Sequence, residues 1–340
     1  MVGENAKKMM TLGGGSSELK VKYEISPLQG IENYFSPASQ VTYAEGYSSV
    51  PTQNRHALLL EAVDAARKAD VVIFVGGLNK NENQDCEGAD RRSLNLPYGQ
   101  DELIGELARV NRNLVAVIIS GNAVAMPWVN EVPAIVEAWY GGTEAGNAIA
   151  SVLAGEVNPS GKLPFTFPVR LEDNPAIALD AYPGDGKQVE YKEGIFVGYR
   201  WNDRERIKPL FCFGHGLSYT TFEYGKVTAE GRQMGPDGTI TVSVPVKNTG
   251  SRAGAEIVQL YVSDLKSSLP RPVKELKGFR KITLQPGQEQ TVSFTIDRKA
   301  LSFYDDTKQD WVAEPGTFEA LVGASACDIR GKAAFELTAR

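Results

Sequence analysis

The sequence predicts two folds in series, a doubly wound α/β sandwich domain followed by an antiparallel β-sandwich. Three observations carry that expectation. Between residues 57 and 153, short continuous apolar runs alternate with segments of helical periodicity, the pattern of parallel strands covered on both faces. Beyond Phe222 the hydrophobic period changes to two, with turn signals between short runs, which indicates antiparallel strands. The length of 340 residues also suits about two domains.

Taken in order, Met1-Val2-Gly3-Glu4-Asn5-Ala6 reads as the tail of a strand whose beginning is missing. It has neither the basic nor the apolar region of a signal peptide. Gly13-Gly14-Gly15-Ser16-Ser17 is a glycine-rich turn without a P-loop ending or G-x-G-x-x-G spacing. Close backbone approach is the role its glycines support, and a nucleotide-binding protein would rest on this turn alone. A short helix opens at Pro27, and residues 41–44 read as a strand. Helices are then expected over 57–68, 100–110 and 144–153, where apolar residues recur on one face. Buried strands are expected at 71–75, 114–119 and 134–138.

Residues 169–221 are irregular but rich in large side chains, among them Tyr182, Tyr199, Trp201, Phe211 and Phe213. That content argues for a packed connector, associated with the α/β domain, rather than a disordered linker. The expected divisions are therefore 1–168, 169–221 and 222–340. In the last, strands are expected at 239–244, 257–262, 278–284, 290–296, 317–322 and 334–337. Its single cysteine, Cys327, rules out the inter-sheet disulfide of antibody domains, so a fibronectin-III-like sandwich is expected.

Composition excludes several classes of function. A net charge of −6 without a basic stripe gives no support to nucleic-acid binding. The longest apolar runs are far short of the ~20 residues that span a bilayer. Cys86, Cys212 and Cys327 are odd in number and far apart, suggesting neither a disulfide framework nor a zinc spacing. With only His56 and His215 in the chain, a His-based triad or His-rich metal site is not expected.

The stretch 79–96 stands out as the longest polar run between two ordered elements, with Asp85, Glu87, Asp90 and Arg91 at its centre. A loop leaving a buried strand is where an α/β protein places chemistry, although a solvated acidic loop has the same composition. Paired carboxylates are what glycoside hydrolysis requires, one as acid and one on the opposite face of the sugar. Gly88 lets the backbone turn beside Glu87. Asp85 and Asp90 would raise the Glu87 pKa, while Arg91 and Arg92 would oppose that. Asp85 and Glu87 would share one side of an extended loop, which does not suit two carboxylates that must flank a substrate. Ser120-Gly121-Asn122 is not a nucleophile elbow, Cys86 lies between carboxylates that disfavour a thiolate, and His215 reads as a packed turn residue. Trp128, Trp139 and Trp201 could stack on sugars, but packing is the commoner role.

Several motifs occur in order along nearly the whole chain: Glu4-Asn5-Ala6 with Gly13-Gly14-Gly15-Ser16, Glu87-Gly88-Ala89-Asp90-Arg91 with Leu96-Pro97, Asn158-Pro159-Ser160-Gly161-Lys162-Leu163-Pro164, and Phe213-Gly214-His215-Gly216-Leu217-Ser218-Tyr219. Together with Lys277-Gly278-Phe279 and Leu284-Gln285-Pro286-Gly287, they resemble the family 3 glycoside hydrolases, most closely the β-glucosidases. The resemblance implies a retaining two-carboxylate hydrolysis of terminal β-D-glucosyl residues from a β-glucoside or oligosaccharide, with no metal or cofactor. It places the general acid/base on Glu87, with Asp85 as second choice. The nucleophilic Asp of such enzymes sits on a (β/α)8 barrel, which these residues do not encode. Val262-Ser263-Asp264-Leu265 resembles a nucleophile motif only superficially and reads as a strand end. A barrel partner in cis or trans is therefore expected, from a longer, split or permuted enzyme. The alternative is a non-catalytic carbohydrate-binding or scaffolding remnant.

Overall fold

The structure is a computed structural model that describes residues 1–8, 13–18, 20–36, 38–51, 53–81, 83–88 and 90–339, excluding the Ser17 side chain. Ala89 of the Glu-Gly-x-Asp-Arg motif lies outside the described residues. Two compact units are present, one of residues 1–157 with 169–171, the other of residues 158–168 with 172–340. No described helix is long and apolar enough to cross a membrane.

The first unit is built on parallel strands β1 (Val72–Gly77), β2 (Leu114–Ile119) and β3 (Ala134–Glu137), in that spatial order. Helices α1 (Pro27–Phe35), α2 (Arg55–Lys68), α3 (Gln100–Val110) and α4 (Ala145–Leu153) alternate with them. The apolar runs that suggested buried strands are buried: Phe74, Val75, Ala116, Val117 and Ile118 are all fully inaccessible. Side-chain caps start two of the helices, Ser26 accepting from the Gln29 N–H and Asn54 from the Ala57 N–H. The N-terminal segment joins the sheet beside β1: the Val2 N–H donates to Ile73 and its carbonyl accepts from Val75. The strand expected at 41–44 is reduced to a single bridge, Ala44 to Val2.

The second unit is a two-sheet sandwich. One sheet orders β10 (Glu289–Asp297), β7 (Thr239–Asn248) and β4 (Phe222–Tyr224), with β5 (Thr228–Ala229) also on β7. The other orders β6 (Gln233–Met234), β14 (Ile329–Leu337), β13 (Gly316–Gly323), β8 (Gly254–Asp264) and β9 (Glu275–Leu284). A hairpin of β11 (Phe303–Asp305) and β12 (Asp310–Val312) completes the strands described. Along β7, Ile240, Val242, Val244 and Val246 point inward and are essentially inaccessible, so the alternation in sequence is the burial pattern itself.

Contacts draw one division differently from the expectation, and one expectation needs correcting. Contacts group residues 172–221 with the sandwich, not with the α/β domain. Within the stretch, Tyr199 stacks on Phe213 at 5.2 Å between ring centres, and it meets Tyr261 of β8 edge-on at 5.9 Å. The cysteines were also misjudged. Cys212 and Cys327, 115 residues apart, form a disulfide. Their separation argued against pairing, but packing of this stretch against the sandwich brings their Cα atoms to 6.0 Å. Cys86 is free.

Candidate active site

Gln100, wholly buried at the start of α3, clamps the last residue of β1. Its Oε1 accepts from the Gly77 N–H and its Nε2 donates to the Gly77 carbonyl, both at 2.8 Å. The chain between these elements is therefore held at both ends, and it lies at the carboxyl ends of the parallel strands, where open α/β sheets bind ligands. Within it, the Tyr98 hydroxyl gathers the side-chain amides of Asn79, Asn81 and Gln84. Tyr98 itself takes a left-handed conformation, φ 61°, which a bulky residue adopts only where its surroundings impose it.

Asp85 and Glu87 do not face the same way. Asp85 turns toward the strand ends, and its carboxylate accepts three hydrogen bonds. Oδ2 accepts from the Gly121 N–H at 2.6 Å and the Tyr140 hydroxyl at 2.8 Å, and Oδ1 from Asn122 Nδ2 at 2.8 Å. Glu87 is exposed. Its Oε2 accepts from the Ser16 N–H at 2.8 Å and from the Ser16 hydroxyl. Those two bonds hold its carboxyl below the usual range. Neither the neighbouring aspartates nor the arginines set that shift. Arg91 instead donates to the carbonyls of Ala123, at 2.8 Å, and Ser93.

The glycine turn expected to allow close approach does so at Glu87. Gly15 has φ +78°, and a Cβ on it would lie 2.4 Å from Glu87 Cβ, closer than any side chain could tolerate. Gly88, at φ +87°, makes the turn after Glu87.

Beneath the loop lies a group that sequence reasoning missed. Glu137, at the end of β3, accepts from the Ser120 hydroxyl at 3.1 Å, and its buried Oε2 has no hydrogen-bonding partner. Burial, with the nearby Asp85 charge adding to it, pushes its pKa up to about 8. Ser16, Tyr140 and Asn122 were also missed as participants. Ser120-Gly121-Asn122 was weighed only as a nucleophile elbow. Its position directly after a buried strand, like that of Trp139-Tyr140 after β3, was the available signal.

The remaining candidates sit elsewhere. Trp128 is buried and donates to Asp101 Oδ1 at 2.9 Å, and Trp201 is buried. Trp139 follows β3 in a left-handed conformation, φ 53°. His215 stacks on Phe211, and burial together with Lys162 lowers its pKa. Asp264 ends β8 and is paired with Arg271. Among the described residues, no group of three His, Cys, Asp or Glu side chains is arranged to hold a metal.

Comparison with known proteins adds a context for this geometry. The model of the glycosyl hydrolase family 3 C-terminal domain matches residues 1–199, and that of a fibronectin type III-like domain matches residues 256–326. A β-glucosidase of Bacteroides ovatus is 55% identical over 348 residues, an alignment covering 99% of this chain and 46% of that protein. Thermostable β-glucosidase B of Acetivibrio thermocellus is 44% identical over 329 residues, covering 97% and 43%. The chain thus spans less than half the length of either relative. Among solved structures, the Kluyveromyces marxianus β-glucosidase in complex with glucose superposes with a TM-score of 0.91 at 27% identity, over 98% of this chain and 58% of that one. A family 3 β-glucosidase from Bifidobacterium adolescentis gives 0.90 at 35% identity, over 99% and 48%.

Proposed function

Since the chain belongs to glycosyl hydrolase family 3, we propose that it supplies the acid/base half of a retaining β-glucosidase active site. Glu87 is the general acid/base, and the nucleophilic carboxylate comes from a (β/α)8 barrel in the same polypeptide or a separate one. The substrate is a β-glucoside or oligosaccharide with a terminal non-reducing β-D-glucosyl residue. The observation that carries this reading is the contrast within one loop: the half-buried Asp85 carboxylate takes three hydrogen bonds from residues after β2 and β3, while Glu87 stands exposed two residues later. That contrast supports Glu87 over Asp85 as the residue that meets a substrate.

Retaining hydrolysis needs the same side chain in two protonation states. Held by Ser16, Glu87 is in its base form, the form that deprotonates water in the second half-reaction. To act first as the acid, it must leave Ser16 and take up a proton. A nucleophile carboxylate about 5–5.5 Å away raises its pKa by like-charge repulsion. Once that nucleophile becomes a glycosyl ester, its charge is gone and Glu87 reverts to the base form.

The test supplies this chain with a family 3 barrel and measures glucose release from an aryl β-glucoside. Activity is expected only with both parts present, and Glu87→Ala should reduce it by about 10²–10⁴-fold. Partial rescue of that variant by azide, with formation of the β-glucosyl azide, is expected. Full activity in Glu87→Ala would leave the scaffolding or carbohydrate-binding role as the better reading.

A further inference from the structure

Asp85 occupies a cage made only of donors. A backbone N–H, a phenolic O–H and an amide N–H converge on its two oxygens at 2.6, 2.8 and 2.8 Å. The three donors belong to residues that follow β2 and β3, so one carboxylate ties the β1–α3 loop to both neighbouring strand ends. Its backbone is held as well. The Asp85 N–H donates to the Asn79 carbonyl at 3.1 Å, and its own carbonyl accepts from the Gly14 N–H at 3.0 Å. Gly14 adjoins the turn whose Ser16 binds Glu87. Four separate segments of chain therefore meet at this one residue.

We propose that Asp85 is the positioning residue for the acid/base, clamping its loop to the ends of β2 and β3 so that Glu87 is presented at a fixed place. The inference rests on the reading of Glu87 as acid/base. Two residues of chain span at most about 7 Å, so a clamp at Asp85 leaves Glu87 only the freedom of Cys86 and its own side chain. The chemistry requires a carboxylate. An asparagine at this position would turn an NH2 group toward one set of donors, so it could keep only part of the cage.

The experiment separates positioning of the acid from support of the fold by changing the leaving group. Departure of 2,4-dinitrophenolate needs no proton, whereas departure of an alkyl alcohol does. Asp85→Ala, Asp85→Asn, Tyr140→Phe and Glu87→Ala are compared on both glucosides in the enzyme formed with the barrel. Asp85→Ala should lower kcat/KM on the alkyl glucoside about 100-fold and on the dinitrophenyl glucoside less than about 5-fold. Tyr140→Phe, which deletes one donor and keeps the carboxylate, should show the same pattern at about 10-fold, and it covers the case in which Asp85→Ala does not fold. Equal losses on both substrates, or no loss, would overturn the proposal.

Glu87→Ala is the control for the reading beneath it. If that variant shows no dependence on leaving group, the acid/base assignment fails, and hydrogen exchange on this chain alone decides the clamp. Asp85→Ala should then speed exchange of the amides at 85–88 at least about 10-fold, with β2 unchanged. Unchanged exchange at 85–88 would sink the clamp too.

Discussion

In the second unit, the buried carboxylates at the ends of β8 and β9 are paired with cations. Arg271 sits between Asp264 at 3.0 Å and Glu275 at 2.6 Å, with Lys277 and Arg200 also close to Glu275. Burial alone would raise the Glu275 pKa, but those cations pull it below the ordinary value. At the strand ends of the first unit, the hydrogen bonds on the carboxylates come from neutral donors instead, with the Arg91 charge nearby. Asp85 is satisfied by an amide N–H, a phenol and a side-chain amide, while Glu137 has a serine hydroxyl and keeps its proton to about pH 8. Cation pairing overrides burial at Glu275 and serves structure. Neutral pairing in a partly buried place leaves burial to dominate at Glu137, and shifts of that kind cluster at functional sites.

The comparison breaks most severely at Arg271. Its guanidinium and the Asp264 carboxylate are 7% and 5% exposed, so Arg271→Ala leaves two buried carboxylates without their main cation. A loss of about 3–5 kcal/mol is expected in urea unfolding of the sandwich. A loss below about 1 kcal/mol would show that these charges are solvated and that the contrast between the units is false.

Glu137 gives the next effect, through pH. Its folded pKa of about 8 lies above the ordinary 4.5, so between those values the folded state holds a proton that the unfolded chain has released. Stability is therefore fully present below pH 4.5, falls as pH rises through this window, and levels off above about 8. Glu137→Gln, which mimics the neutral acid, should remove the fall. Its advantage over wild type should grow by roughly 2–4 kcal/mol from pH 4 to pH 9, allowing for the partial exposure of the residue. Parallel pH profiles for the two proteins would rule out a protonated Glu137.

The smallest effect belongs to Ser16. Ser16→Ala removes one of the two bonds on Glu87 Oε2, so the Glu87 carboxyl should titrate at higher pH, with unfolding unchanged. Carboxyl NMR of the labelled chain reads this directly, and an unmoved titration would mean that Ser16 does not hold Glu87 in its base form.

Much of the fold was legible because its signals are local. Continuous apolar runs marked β1 and β2, a period of two marked β7 and β10, and the glycine turn at 13–15 was rightly read as a place of close approach. A motif singled out Glu87 as the residue proposed for the acid/base role. The carboxylate network was not legible, because Asp85 meets Gly121, Asn122 and Tyr140 across separations of 36, 37 and 55 residues. The Cys212–Cys327 bond, across 115 residues, was missed for the same reason.

The sequence by itself determined the two kinds of fold and the polar loop between β1 and α3, and it offered Glu87 within that loop as the residue now proposed for the acid/base. Hydrophobic periodicity and turn chemistry act over a few residues and can be read from them. Only the tertiary structure decided that Asp85 turns toward the strand ends, that Ser16 holds Glu87 in its base form, and that Glu137 keeps a proton. Each of these depends on which donors, charges and apolar walls converge on one carboxyl group, and that convergence exists only once distant strand ends are brought together.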